Sequence, residues 1–144
     1  MSSGVAVNNA VLTTFSDLKI GRKYKYVIYK INDLLTEVIV DKTADSSNSS
    51  NSYDDFITDI KLVGNESRYA IYDFDYVGAD GGTRNRICFY IWCPDTATAK
   101  NKLLYASTAE IVRRKLVGIS AEIQGTDLSE IDHQTVLERV YKNY

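Results

Sequence analysis

The chain has 144 residues, 44% of them hydrophobic and 25% charged, with a formal net charge of −2. That length suits one domain with a substantial core, and so small a net charge excludes a general pull toward nucleic acid, leaving any anion site to a local patch. No stretch approaches the roughly 20 apolar residues of a membrane span, and the opening MSSGVAVNNA, without a charged start or a long apolar run, is not expected to act as a secretory signal.

In chain order, residues 1–7 mix small polar and apolar types and are expected to form a flexible arm with no element of its own. Asn8 or Asn9 can cap a helix running to about Leu18, because Val11, Leu12, Phe15 and Leu18 fall at helical spacing before Gly21. Residues 24–31 (YKYVIYKI) read as a strand, Asn32-Asp33 as a turn, and residues 36–40 (TEVIV) as the returning strand of a hairpin. Residues 44–52 (ADSSNSSNS) are low-complexity Ser/Asn, expected to be a flexible surface loop without chemistry. Residues 53–60 form a short helix with Asp54 and Asp55 in the first turn, where the helix dipole favours acids.

Residues 68–76 (RYAIYDFDY) and 84–93 (RNRICFYIWC) are the longest strand candidates, and the segment VGADGG between them makes a projecting hairpin. Pro94 then opens a turn into a long helix that Gly118 stops. Ser107-Thr108-Ala109-Glu110 has the spacing of a capping box, which predicts a kink or restart inside that helix. Val112 and Leu116 share one face of it and Glu110, Arg113 and Arg114 another; Lys100 and Lys102 accompany Leu103, Leu104 and Tyr105 in its first half. Residues 119–124 form a short strand that the helical crossover should make parallel to a neighbour. Residues 129–144 form a closing helix with Val136, Leu137 and Val140 apolar and Glu138, Arg139 and Lys142 elsewhere on the wheel. The expected architecture is α/β: a single domain over residues 1–144, with a mixed sheet of about five strands and helices on both faces.

No constellation in the chain assembles an active site. His133 is the sole histidine and neither cysteine lies near it in sequence, so a metal site or a Cys–His nucleophile has no local basis. Asp73 and Asp75 share one strand face and form a conceivable carboxylate pair, though hydrogen-bonded polar-face residues are the simpler reading. The glycines at 78, 81 and 82 join two strands and lack a following GK[ST], so they are not a phosphate loop. Cys88 and Cys93 point to opposite faces of one strand about 16 Å apart, which excludes a mutual disulfide and fits reduced thiols in the cytosol. The chain is expected to bind rather than catalyse, without cofactor or metal.

The block PDTATAKNKLLYAST…RRKLVGI…IQGTDLSEI resembles the long helix and following strand of the actin-depolymerising factor/cofilin family, in particular its fungal members. The likeness extends to SSGVAV, to YAIYDFDY…TRNRICFYIWCPD and to VLERVYK, nearly the whole chain. It implies the actin-depolymerising-factor homology fold and a cytoplasmic, actin-associated protein of the cortical cytoskeleton that binds monomeric and filamentous actin, prefers ADP-actin, severs filaments and promotes depolymerisation. Carried over by position, monomer binding falls on Ser3, Gly4, Val5, Lys100, Lys102, Leu103, Arg113 and Arg114. Filament binding falls on Arg84, Arg86, Glu138, Arg139 and Lys142, and inhibitory phosphorylation on Ser3, with Ser2 a competing acceptor. Lys100, Lys102, Arg113 and Arg114 are also the residues expected to meet phosphoinositide headgroups. Ala109 stands where the family commonly has lysine and Glu110 where it has aspartate, which implies one basic contact fewer. The resemblance leaves two alternatives: a non-severing sibling of the same fold that binds filament sides or the branching complex, or a membrane phosphoinositide-binding regulator. It implies a monomer, with no nucleic-acid partner.

Overall fold

The computed structural model describes residues 4–47 and 52–142. Its strands are β1 (Ala6–Val7), β2 (Tyr24–Ile31), β3 (Glu37–Asp45), β4 (Arg68–Val77), β5 (Thr83–Trp92) and β6 (Ala121–Gly125), in the sheet order β1-β3-β2-β4-β5-β6. Both outer pairs, β1 with β3 and β5 with β6, are parallel, while the inner pairs are antiparallel. The helices are α1 (Asn9–Lys19), α2 (Tyr53–Val63), α3 (Ala99–Lys115) and α4 (His133–Lys142), with a short 3-10 turn at Leu128–Ile131.

The central strands are buried on both faces, so alternate residues feed two cores. Val27, Tyr29, Tyr69, Ile71, Phe89 and Ile91 pack under α1 and α3, which contribute Val11, Phe15, Leu18, Tyr105, Ala109 and Val112, with Leu116 just past the end of α3. Tyr26, Ile28, Ala70, Tyr72, Phe74, Cys88 and Tyr90 pack under α2 and α4, which contribute Tyr53, Phe56, Ile60, Val136 and Val140. Most aromatic pairs of the second core meet edge-on or tilted, as Tyr53 does with Tyr72 at 4.9 Å between centroids, while Tyr26 stacks on Tyr72 at 5.9 Å. Cys88 lies in the α2/α4 core and Cys93 against the α1/α3 core, the opposite-face placement the strand spacing predicts.

The mixed α/β architecture is the expected one, and the differences are local. The sheet has six strands rather than about five, because the two residues of β1 inside the supposed arm pair with β3. β3 runs on to Asp45, so Ala44 and Asp45 belong to the sheet, with Ala44 buried in the α2/α4 core; residues 48–51 of the Ser/Asn loop lie outside the described residues. The expected restart in α3 is absent: the helix is continuous from a Thr98 cap. Ser107 Oγ and Thr108 Oγ1 donate back to the Leu104 carbonyl at 3.1 and 2.8 Å instead of capping a new helix. The closing helix is split, since Asp127 caps the 3-10 turn and α4 starts only at His133; residues 143–144 lie outside the described residues.

Candidate protein-binding surfaces

α3 is fixed to the sheet by its inner face. The Ile31 N–H donates to Tyr105 Oη at 2.9 Å, Tyr69 Oη donates to the Tyr105 carbonyl, and Ser67 N–H donates to Asn101 Oδ1 at 3.0 Å. These bonds tie the helix to the ends of β2 and β4, and Tyr105, Thr108, Ala109 and Val112 complete its buried side.

At about 100° per residue, Lys100, Leu103, Ser107, Glu110 and Arg114 fall within about 80° of one another, opposite that buried side. All five are exposed, and Leu103 is 70% accessible. Leu, Lys and Arg are good helix formers, so their outward placement follows from the wheel rather than from strain. Lys102 and Arg113 sit on a flank of the same helix, over a groove of about 510 Å³ that runs between α3 and β6 and is floored by Ile91, Cys93 and Ala109. The structure therefore divides the helix residues singled out from sequence into an outer stripe (Lys100, Leu103, Arg114) and a flank (Lys102, Arg113). Arg113 Nη2 bonds Glu122 Oε1 on β6 at 2.6 Å, Arg114 pairs with Glu110 one turn back at 2.8 Å, and Lys102 Nζ donates to the Asp95 carbonyl at 3.1 Å. Such exposed pairs are worth at most about 1 kcal/mol each, so a partner carboxylate can replace them at small cost.

Ser3 lies outside the described residues, as does Ser2. Gly4 is exposed with φ +80°, a conformation glycine alone adopts freely. Val5 is 4% exposed and packs in the α1/α3 core, so it anchors the arm rather than presenting a contact. Ala109 is also 4% exposed, and a lysine at this position would start from the groove floor, not from the outer stripe.

The second group of residues sits on the other layer. Arg84 pairs with Tyr76 and Arg86 with Phe74 across the β4–β5 hairpin. By the two-residue alternation Arg86 shares the face of Phe74, which is the α2/α4 side. Glu138 and Arg139 are exposed on α4, and Lys142 is its last residue. Hairpin and helix thus bound one side of the sheet, α3 the other.

The remaining candidates are absorbed by the fold. Asp73 is buried and pairs with Arg22 Nε at 3.4 Å, while Asp75 pairs with Lys25 at 2.9 Å; Asn85 donates to both carboxylates. Burial pushes the Asp73 carboxyl above its usual range against the opposing pull of Arg22. His133 stacks on Phe74 at 5.1 Å and meets Tyr53 edge-on. Among the described residues no group of three or more His, Cys, Asp or Glu is placed to hold a metal ion, and no helix is long and apolar enough to cross a membrane. Sequence reasoning passed over Leu34 and Leu35, which are both exposed in the β2–β3 turn; two leucines in a hairpin turn, where polar residues are usual, were the available signal.

Residues 4–141 match the family model described as "Cofilin/tropomyosin-type actin-binding protein". The chain is 50% identical over 143 residues to the cofilin of Mycosarcoma maydis, covering 99% of each, and 46% identical over 139 residues to the cofilin of Saccharomyces cerevisiae, covering 96% of this chain and 93% of that one. Among solved structures, the cofilin of Streptomyces griseoflavus superposes with a TM-score of 0.87 at 43% identity, over 98% of this chain and 100% of that one.

Proposed function

The chain belongs to the cofilin/tropomyosin-type actin-binding family, and from that premise we propose that it binds actin monomers and filaments, prefers ADP-actin, severs filaments and speeds their depolymerisation. The observation that carries the reading is the 50% identity to a curated cofilin over 99% of both chains, which leaves no part of the fold unaccounted for. A family of actin-binding regulators calls for binding surfaces rather than a catalytic centre.

In this reading monomeric actin meets α3 and the N-terminal arm at Ser3 and Gly4, with Val5 anchoring that arm to the core. Leu103 supplies apolar contact, and Lys100, Lys102, Arg113 and Arg114 meet carboxylates, the arginines bidentately. The neighbouring subunit of a filament meets Arg84, Arg86, Glu138, Arg139 and Lys142. Placement of the two groups on opposite layers of one sheet supports the reading, because a rigid ligand between two subunits needs contacts on two sides. A ligand that fits a twisted filament better than a relaxed one shifts the filament by no more than its differential affinity, and boundaries between decorated and bare stretches break. A phosphate on Ser3 would add about two negative charges to the arm and oppose docking on an acidic partner. The protein acts as a monomeric single domain in the cytoplasm, at cortical actin.

Phosphoinositides form a second reading for the same cations. Lys100 and Arg114 are separated by about 20 Å along the helix at 1.5 Å per residue, so the basic residues suit a lipid surface better than one headgroup pocket. Salt-sensitive vesicle binding that competes with actin would support it.

The deciding experiment images labelled ADP-actin filaments at sub-saturating protein and counts breaks per length over time. Breaks that diminish in the Arg84→Ala/Arg86→Ala variant support severing through the second surface. Decorated but intact filaments would place the protein with non-severing relatives of the fold, and absence of binding would overturn the reading.

A further inference from the structure

The β2–β3 turn is built as a rigid platform. Asn32 Oδ1 accepts the N–H groups of Thr36 and Glu37 at 2.8 and 3.1 Å, Asn32 Nδ2 donates to Thr36 Oγ1 at 2.9 Å, and the Leu35 N–H closes on the Asn32 carbonyl at 2.9 Å. Lifted on this frame, Leu34 is 81% exposed and Leu35 is 48% exposed. Leu35 has φ +58°, a left-handed conformation that leucine rarely adopts and that glycine or asparagine would hold without strain. An apolar residue kept under strain and in water has no explanation inside the fold. The turn stands beside α3 because the Ile31 N–H, just before it, is bonded to Tyr105 of that helix.

Between turn and helix lies a groove of about 520 Å³ lined by Leu35, Thr98, Lys100, Asn101, Leu103, Leu104 and Ser107. Leu35, Leu103 and Leu104 give it apolar walls among the polar Thr98, Asn101 and Ser107, its one charged lining residue is a cation, and it opens onto the outer stripe of α3. We propose that the β2–β3 turn is a further part of the surface that grips monomeric actin: Leu35, which lines the groove with Leu103 and Leu104, and the exposed Leu34 next to it in the turn receive an apolar projection of actin while Lys100 meets a carboxylate beside it. This rests on the reading that α3 faces actin. It extends that surface onto a second element and makes the groove, rather than the helix alone, the unit of recognition. Rigid walls held apart before binding lose little entropy on association.

The test measures affinity for labelled ADP-actin monomers in the whole chain, in Leu34→Ser/Leu35→Asn and in Leu103→Ala. The double variant should bind about 10-fold more weakly, the loss expected for two partly buried leucine contacts. It should also unfold at or above the wild-type temperature, because asparagine relieves the backbone at 35. Wild-type affinity in the double variant, with Leu103→Ala weakened, overturns the proposal and leaves the actin reading standing; a wild-type chain that does not bind overturns that reading itself. Should the double variant unfold early, Leu35→Asn alone decides: weaker binding supports the groove, unchanged binding overturns it. Sedimentation that shows a wild-type dimer lost in the variant, with actin affinity unchanged, would assign the groove to a second copy and overturn the proposal.

Discussion

Two positions nine residues apart on α3 separate stability from binding. Leu103 is 70% exposed, so about a third of a leucine's burial is at stake on truncation to alanine, about 0.5–1 kcal/mol. Alanine's higher helix propensity returns a few tenths of that, and the melting temperature should stay within about 2 °C of wild type at 2–4 °C per kcal/mol. Val112 is 0% exposed in the α1/α3 core. Its truncation removes two methyl groups and leaves a cavity, about 2 kcal/mol after the propensity gain, or a fall of about 4–8 °C. Binding to ADP-actin monomers should show the reverse order. Leu103→Ala loses about 1–3 kcal/mol if the side chain is desolvated at the interface, roughly a 5- to 150-fold weakening, while Val112→Ala, measured well below its melting point, keeps wild-type affinity. Thermal unfolding and a monomer-binding titration on the two variants check both halves. Equal destabilisation by both would refute the assignment of the outer stripe, and unchanged affinity in Leu103→Ala would refute its role as the apolar contact.

Asp73 makes a pH prediction. Its carboxyl is raised on folding, chiefly by burial, so the folded state holds the proton more tightly and this residue's contribution to stability falls as pH rises from about 4, the ordinary carboxylate value, through the folded one. The melting temperature of Asp73→Asn relative to wild type should therefore improve between pH 3 and pH 7; a decline would mean that the Arg22 pair outweighs burial. Gly118→Ala puts a methyl at φ +103° and onto Lys19 Nζ, which donates to the Val117 carbonyl at 2.9 Å, so it should cost about 1–2 kcal/mol and about 2–8 °C in a thermal melt. Native-state alkylation at pH 8 followed by mass spectrometry should label the partly exposed Cys93 and spare Cys88, whose thiol is wholly buried and pushed up to about 12; equal labelling would contradict the burial of β5.

The fold was legible wherever a segment has one strong period. YKYVIYKI coincides with β2, and the α2 and α3 patterns found their helices, because apolar residues repeating at 2 or 3.6 have one way to meet a core. β1 was illegible because two residues carry no period; only its pairing with β3 makes it a strand. The capping-box signal in α3 starts no new helix because Ser107 and Thr108 satisfy their hydroxyls on the Leu104 carbonyl without breaking the helix. Among the candidate contacts, the exposure of Leu103 follows from the wheel, but the burial of Val5 depends on a core assembled from distant strands. Nor does the sequence report that Arg113 and Arg114, adjacent in the chain, turn to different neighbours, Glu122 on β6 and Glu110 on α3.

The two cores share the central strands: Tyr69, Ile71 and Phe89 face one way, Ala70, Tyr72, Phe74 and Tyr90 the other. A residue that packs in either core therefore supports α3 and the hairpin–α4 side at once, and its loss should lower monomer binding and severing in the same proportion, as the folded fraction falls. Residues on one surface should uncouple the two activities. A variant at Arg86 or Arg139 that still binds monomers but no longer breaks filaments locates its defect on the second surface. A variant that loses both with an unchanged melting temperature locates it on the first, because a ligand that cannot hold one subunit cannot act on the junction between two. Measuring the melting temperature beside both activities turns each substitution into an assignment of its residue to the core, the α3 face or the hairpin–α4 face.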